Sequence, residues 1–239
     1  MNTVKFNKKN TLIVAHRGVS GLEAENTNAA FVAAGNRSYY GIETDIHRTA
    51  DGKFAINHDG NLKRIAGVDI DVETSALDEL QKIPLLDKDG NADRVDLRVC
   101  ALENYVKICK KYEKHAVLEL KSEFTDEEIE KIIEIIKDYD YLDNLTFISF
   151  KYDNLTKIRK ILPNQSAQFL FSQFSDEILE NITRDKLDID VAHTALTEQN
   201  VKELHEKGFK INCWTVDDPE RAEALASWGV DFITSNILE

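Results

Sequence analysis

Apolar positions along the chain follow two alternating rhythms. Short runs rich in Val, Ile and Phe lie at Leu12–His16, Ile42–Ile46, Ala116–Lys121, Leu145–Phe150, Ala167–Phe171, Ile189–Ala192, Lys210–Val216 and Asp231–Thr234. Their length and β-branched content predict buried strands. Between most of them the apolar residues recur with a period near 3.6, which predicts amphipathic helices. In Thr125–Tyr141, for example, Ile129, Ile132, Ile133 and Ile136 fall on one face, and Thr125 three before Glu128 reads as a capping box. Asp153–Leu162 stops at Pro163, Ser175–Lys186 follows, and Thr197–Lys207 is closed by Gly208. Asp218–Trp228 has Pro219 in its first turn and Gly229 at its end, the usual asymmetry of helix termini.

Strands alternating with helices predict βαβ units and a mainly parallel sheet. From Leu145 the strand starts at 145, 167, 189, 210 and 231 are about 22 residues apart, which leaves no room for a second domain there. Eight such strands predict a (β/α)8 TIM barrel; an open doubly wound sheet is the alternative. One segment breaks the rhythm. Between Ile46 and Ala116 lie roughly 70 residues with a hairpin-like Ala50-Asp51-Gly52-Lys53 turn and helical patterns at Thr74–Lys82 and Ala101–Lys114. The expectation is one barrel domain over residues 1–239, with a small insertion at approximately 50–115 after the second strand.

Composition narrows the partners. The 239 residues carry 30 Lys+Arg and 43 Asp+Glu, a formal net charge of −13. That argues against nucleic acid and anionic membrane surfaces, which want a basic face. It leaves room for a small phosphate-bearing ligand, because a buried divalent cation reverses the local sign. Cys100, Cys109 and Cys213 show no paired or metal-binding spacing and read as buried, reduced thiols. Met1–Asn10 lacks the apolar stretch of a signal peptide, and no run is long enough to form an integral membrane segment, so a cytoplasmic protein is expected. Its oligomeric state is not written in the sequence.

In a barrel, chemistry gathers at the C-terminal ends of the strands. His16-Arg17-Gly18 directly follows the apolar Leu12–Ala15. There it either offers an acid/base group and a phosphate clamp, or packs as a strand-end His with Arg17 in a surface ion pair. In Ile42-Glu43-Thr44-Asp45-Ile46, strand alternation puts Glu43 and Asp45 on one face. If that face is the barrel interior, two buried carboxylates call for a cation, and oxygen donors suit Mg²⁺ or Ca²⁺. If it is an exposed edge, they are solvated acids. Glu119 and Lys121 likewise share a face, as a third carboxylate ligand and a phosphoryl-directed cation, or as a structural ion pair. His58 follows the Asp51-Gly52 turn, which folds the chain back beside the Glu43/Asp45 strand and returns His58 toward the same mouth as His16. Of the remaining histidines, His47 and His193 are weaker candidates, while His115 and His205 read as structural or solvated. Trp214 ends the seventh strand and either walls the pocket or belongs to the core. No Gly-rich phosphate or dinucleotide loop and no G-x-S-x-G occurs.

Together these pieces resemble the glycerophosphodiester phosphodiesterase family. The match runs through His16-Arg17-Gly18, Glu25-Asn26-Thr27 with Ala30-Phe31, Glu43-x-Asp45, Thr49-x-Asp51-Gly52 and His58-Asp59. It continues through Glu119-Leu-Lys121, Ser149-Phe150, Trp214-Thr215-Val216 and Gly229-Val230-Asp231, in the family's order over nearly the whole chain. The resemblance implies a (β/α)8 barrel that hydrolyses glycerophosphodiesters to an alcohol and glycerol 3-phosphate, with His16 and His58 as the acid–base pair. It implies one divalent cation on Glu43, Asp45 and Glu119, phosphate on Arg17 and Lys121, and Trp214 on the hydrophobic side of the mouth. The partner would be a small-molecule phosphodiester. Alternatives are phospholipase C- or D-like action on lysophospholipids or phosphoinositides, and a non-catalytic phosphate-binding barrel. Two positions depart from the family. Ala24 stands where Pro usually precedes Glu-Asn-Thr, and Thr234-Ser235-Asn236-Ile237 replaces the usual Thr-Asp-x-Pro, which implies loss of a carboxylate and a rigid turn near the mouth.

Overall fold

A computed structural model describes residues 2–239. Eight parallel strands close into a barrel with helices between them. They are β1 (Leu12–Ala15), β2 (Gly41–Arg48), β5 (His115–Leu120), β6 (Leu145–Ser149), β7 (Ala167–Phe171), β8 (Asp188–Ala192), β9 (Ile211–Trp214) and β10 (Phe232–Ser235). Closure is by β1, which pairs in parallel with both β10 and β2. The TIM barrel expected from the strand–helix rhythm is thus the fold.

Alternation along each strand builds two apolar layers. Ile42, Ile46, Leu118 and Leu120 are fully buried against the surrounding helices. Val14, Val117, Ile148 and Leu170 pack inside the barrel, with Tyr40 and Phe232 among them. In register, Asp45 lies opposite Glu119 on the neighbouring β5, so the acidic faces of β2 and β5 meet inside the barrel.

The outer helices begin and end where cap signals placed them. In α5 (Asp126–Asp138) Thr125 Oγ1 accepts from the Glu128 N–H at 3.2 Å, and the Glu128 side chain accepts from the Thr125 N–H at 2.8 Å. After it come α6 (Tyr152–Ile161), α7 (Asp176–Arg184), α8 (Glu198–Glu206) and α9 (Pro219–Trp228). Gly229 ends α9 in the left-handed conformation, at φ 92°. The first helix had no sequence expectation: α1 (Asn28–Gly35) carries Ala, Val and Phe all round, so it has no amphipathic stripe to detect.

The insertion opens with the expected turn, where Gly52 (φ 67°) donates to the Thr49 carbonyl. From it β3 (Phe54–Ile56) runs back antiparallel to β2, and β4 (Cys100–Ala101) pairs antiparallel with β3. Between them, α2 (Lys63–Ala66) and α3 (Leu77–Leu80) cover a small separate cluster of Leu62, Val72, Leu80, Leu85 and Leu97. The helix expected at Thr74–Lys82 is only the four residues of α3. Ala76 is extended at its start, and Pro84 disfavours helix at Ile83. The pattern at Ala101–Lys114 is α4 (Leu102–Lys111), whose buried Tyr105 hydroxyl donates to the Ile42 carbonyl at 2.7 Å. All three cysteines are buried and free, as read from their spacing. No helix among the described residues is long and apolar enough to cross a membrane.

Candidate active site

The chain turns sharply as it leaves β1. Arg17 and Gly18 have φ of 53° and 75°, and a Cβ on Gly18 would sit 2.7 Å from the Ala30 backbone. This turn aims the Arg17 N–H at Glu43 Oε2 (2.8 Å) and sends its guanidinium to Glu25 Oε1 (2.8 Å) and toward Asp45 Oδ2 (3.6 Å). Burial works against the guanidinium charge, but Asp45, Glu25 and Glu43 outweigh it and hold Arg17 cationic. Arg17 Nε itself is buried without a hydrogen-bond partner. His16 lies with its Nε2 4.0 Å from Glu43 Oε2. Burial, with Arg17 beside it, holds its ring below the usual imidazole range.

Glu43, Asp45 and Glu119 converge with exposures of 3%, 1% and 7%, and each offers an oxygen within 4.8 Å of those of the other two. Asn26 donates to Asp45 at 2.8 Å; Lys121 Nζ lies 3.0 Å from Glu119 and 3.5 Å from Asp45. One lysine and one shared arginine do not balance three buried acids. Burial, Asp45 and Glu119 raise the Glu43 carboxyl well above the carboxylate range, and burial with Asp45 does the same to Glu119. An all-oxygen donor set with surplus negative charge fits a hard divalent cation.

His58 enters from the loop after β3. Its Nδ1 is 2.7 Å from Asp59 Oδ1, and Asp59 in turn accepts from Arg64 Nε at 2.7 Å. Arg64 also makes a two-point contact with Glu25, the partner of Arg17. An Arg17–Glu25–Arg64–Asp59 chain of ion pairs therefore ties the two histidine loops together.

A cavity of about 140 Å³ collects these groups: His16, Arg17, Glu43, His58, Glu119 and Lys121 line one side, and Ile148, Phe150, Leu170 and Trp214 the other. Asp45 lies behind Lys121 and Arg17 rather than on the cavity wall. Trp214 packs edge-on against the exposed Phe150 (centroids 5.5 Å apart), and its Nε1–H is buried without a partner. All eight residues singled out from the sequence are thus brought to one end of the barrel. His47 is not on the cavity wall. Its Nε2 is 3.3 Å from the His58 carbonyl oxygen and its Nδ1 faces Ser122 and Glu73, so it sits behind the His58 loop. His193 pairs with Arg221 outside the cavity. His115 stacks on Tyr40, and His205 bonds Asp231.

Sequence reasoning missed three features. Asp190 lines the cavity at 1% exposure with Oδ1 unpartnered, its carboxyl raised by burial and by Glu119. The signal was present, since Asp190 between Ile189 and Val191 follows the same alternation that exposed Glu43 and Asp45. The Glu25–Arg64 link had no local signal, because 39 residues separate the pair. Finally, Asp217 and Asn236 bond to each other beside His16.

This geometry can be set beside known proteins. Residues 16–238 match the model of the glycerophosphoryl diester phosphodiesterase family. A glycerophosphodiester phosphodiesterase from Caldanaerobacter subterraneus subsp. tengcongensis is 27% identical over 229 residues, covering 95% of this chain and 94% of its own. A crystal structure of a glycerophosphodiester phosphodiesterase from Parabacteroides distasonis superposes with a TM-score of 0.78 at 28% identity, over 95% of this chain and 93% of that one. A phosphodiesterase from Oleispira antarctica, solved in complex with the product sn-glycerol-3-phosphate, gives a TM-score of 0.88 over 98% and 96% of the two chains. At 24% identity, that last likeness speaks for the fold alone. The chain belongs to the glycerophosphoryl diester phosphodiesterase family, a family of phosphoric diester hydrolases.

Proposed function

We propose that the whole chain works as one barrel that hydrolyses glycerophosphodiesters to an alcohol and glycerol 3-phosphate, with His16 and His58 as the acid–base pair. One observation carries this reading. Both histidines line a single cavity with two of the three buried carboxylates, an arginine and a lysine. Glu43, Asp45 and Glu119 would hold one divalent cation, Mg²⁺ or Ca²⁺. When bound it supplies Lewis-acid polarisation of a phosphoryl oxygen.

The protein's own groups do the rest. Arg17, whose Nε lacks a partner, and Lys121 face the phosphoryl oxygens and offset charge as it builds up. His16 takes the proton of the attacking hydroxyl, either of water or of the neighbouring glycerol carbon; in the latter case a transient cyclic phosphate forms, and a water then opens it, giving its proton to His16 while the released ring oxygen is protonated. His58 returns a proton to the departing alkoxide. The assignment follows from their Nδ1 partners: the Asp59 carboxylate favours an imidazolium at His58, whereas His16 Nδ1 faces an amide oxygen, with Arg17 beside the ring and Glu43 4.0 Å from Nε2. Trp214 and Phe150 shield the apolar side of the leaving alcohol. We also place the protein in the cytoplasm, a reading supported by its three unpaired thiols.

The test is a panel of glycerophosphocholine, glycerophosphoethanolamine, glycerophosphoglycerol and lysophospholipids, assayed with Mg²⁺, with Ca²⁺ and with chelator. Phosphorus NMR identifies the product. Chelator-sensitive release of glycerol 3-phosphate from at least one glycerophosphodiester is expected. A cyclic phosphate as final product, or turnover confined to lysophospholipids, would contradict it.

A further inference from the structure

Ser235, the last residue of β10, stands where the family's Thr-Asp-x-Pro has its Asp. Asp217, in the loop between β9 and α9, brings another carboxylate to the end of β10. Its Oδ1 accepts from the Asn236 N–H (2.8 Å) and the Ser235 hydroxyl (2.9 Å), and its Oδ2 accepts from Asn236 Nδ2 (2.6 Å). On its other side, Asn236 Oδ1 lies 2.7 Å from His16 Nδ1 and accepts from the Ser20 hydroxyl at 2.6 Å.

Elementary donor–acceptor accounting then fixes the His16 ring. A carboxylate can only accept, so only the NH₂ of Asn236 can face Asp217, and the amide cannot be flipped. The amide oxygen therefore faces His16, and because it too can only accept, His16 Nδ1 must carry the proton. A neutral imidazole has one N–H, so Nε2 is left with its lone pair on the side of Glu43 and the cavity. The backbone holds both partners in place. His16 N–H donates to the Ser235 carbonyl (2.9 Å), and Gly21 N–H donates to the Asn236 carbonyl (2.8 Å).

We propose that Asp217 and Asn236 are positioning residues that lock His16 in the Nδ1–H tautomer, so that its bare Nε2 faces the substrate. The proposal rests on the reading of His16 as the base. Asp217 touches no substrate and acts only through Asn236. The pair is the counterpart, split over two side chains, of the single carboxylate that orients a catalytic histidine in other hydrolases.

The test combines kinetics with a spectroscopic reading of the ring. In histidine-labelled, chelator-treated protein above pH 7.5, nitrogen NMR should show His16 protonated at Nδ1 and bare at Nε2, its signal identified by loss in His16→Ala. Asp217→Ala should convert His16 to a tautomer mixture and, in the loaded enzyme, lower kcat about 10- to 100-fold, with KM little changed. Asn236→Asp alone sets two carboxylates face to face and should lose activity comparably. Combining it with Asp217→Asn restores every donor and acceptor, because the carboxylate now at position 236 accepts from His16 and the amide now at position 217 donates to that carboxylate. That double variant should regain kcat to within about 3-fold of wild type, as coupled neighbours do, and regain the Nδ1–H signal. Wild-type kcat and tautomer in Asp217→Ala would overturn the proposal, as would a double variant no better than Asn236→Asp alone. If His16→Ala itself keeps full turnover, the acid–base reading fails; if only His16→Ala loses activity, the positioning role alone fails.

Discussion

Glu119 carries a consequence that can be measured without substrate. Burial and the facing Asp45 push its carboxyl up to about 8, against 4.5 in an unfolded chain. The folded protein therefore binds a proton that the unfolded chain releases, and stability falls as pH rises toward the folded value. Buried histidines act in the opposite sense, since His16, His58, His115 and His193 are all lowered from 6.5, and they are essentially neutral in both states only above about pH 7.5. In chelator, the melting temperature should therefore fall between about pH 7.5 and 8.5. Glu119→Gln should flatten that decline, and added Mg²⁺ or Ca²⁺ should reverse it in wild type by binding the folded state alone. A melting temperature that rises across that window in chelator would contradict the description of the acidic cluster. Gly18 makes a second residue-scale case. At φ 75° with the Ala30 backbone 2.7 Å from a would-be Cβ, Gly18→Ala should destabilise by roughly 1–3 kcal/mol and lower activity through the displaced Arg17. Denaturant unfolding with wild-type stability would show that the turn is not under that constraint. Strand alternation put Glu43 with Asp45 and Glu119 with Lys121 on shared faces but left open whether those faces lay inside the barrel, which the β2–β5 register decides. The left-handed Arg17 was not legible, because an arginine gives no signal for positive φ.

Among the helices, those with a single apolar stripe over two turns or more were readable from the sequence. Ends of α5 through α9 fell within a few residues of their signals: Thr125, Ser175, Thr197 and Asp218 accept from open backbone N–H groups, while Pro163 ends α6 because a helix cannot run on into proline. α1 is apolar on all faces and α2 is a single turn, so neither shows a period, while the pattern over Thr74–Lys82 overstated the single turn of α3. The two-residue β4 exists only because β3 offers it an edge. Thr125→Ala isolates the capping contribution. It should cost about 1 kcal/mol and lower the melting temperature by roughly 2–4 °C, while kcat and KM stay at wild-type values because α5 lies outside the cavity. A change in kcat would mean that α5 reaches the site by a route the contacts do not show.

The molecule as a whole resolves an apparent conflict between acidity and substrate. A chain of net charge −13 repels polyanions, yet its cavity gathers Arg17, Lys121, His16 and His58 around the buried acids. Barrel closure produces this, because strands far apart in sequence deliver their ends to one mouth. Strand order was legible from the strand–helix rhythm, and the ends of β1, β2, β5 and β9 pointed to most of the polar groups at the mouth, but not to Asp190. Links across the mouth, from Glu25 to Arg64 and from Asp217 through Asn236 to His16, emerge only from closure. The central claim is that His16 and His58 together perform acid–base hydrolysis of a glycerophosphodiester. The most direct measurement is steady-state release of glycerol 3-phosphate by wild type, His16→Ala and His58→Ala with Mg²⁺ or Ca²⁺ present. The expected result is a loss of about 10²- to 10⁴-fold in kcat for each variant, with folding intact; wild-type turnover in both variants would contradict it.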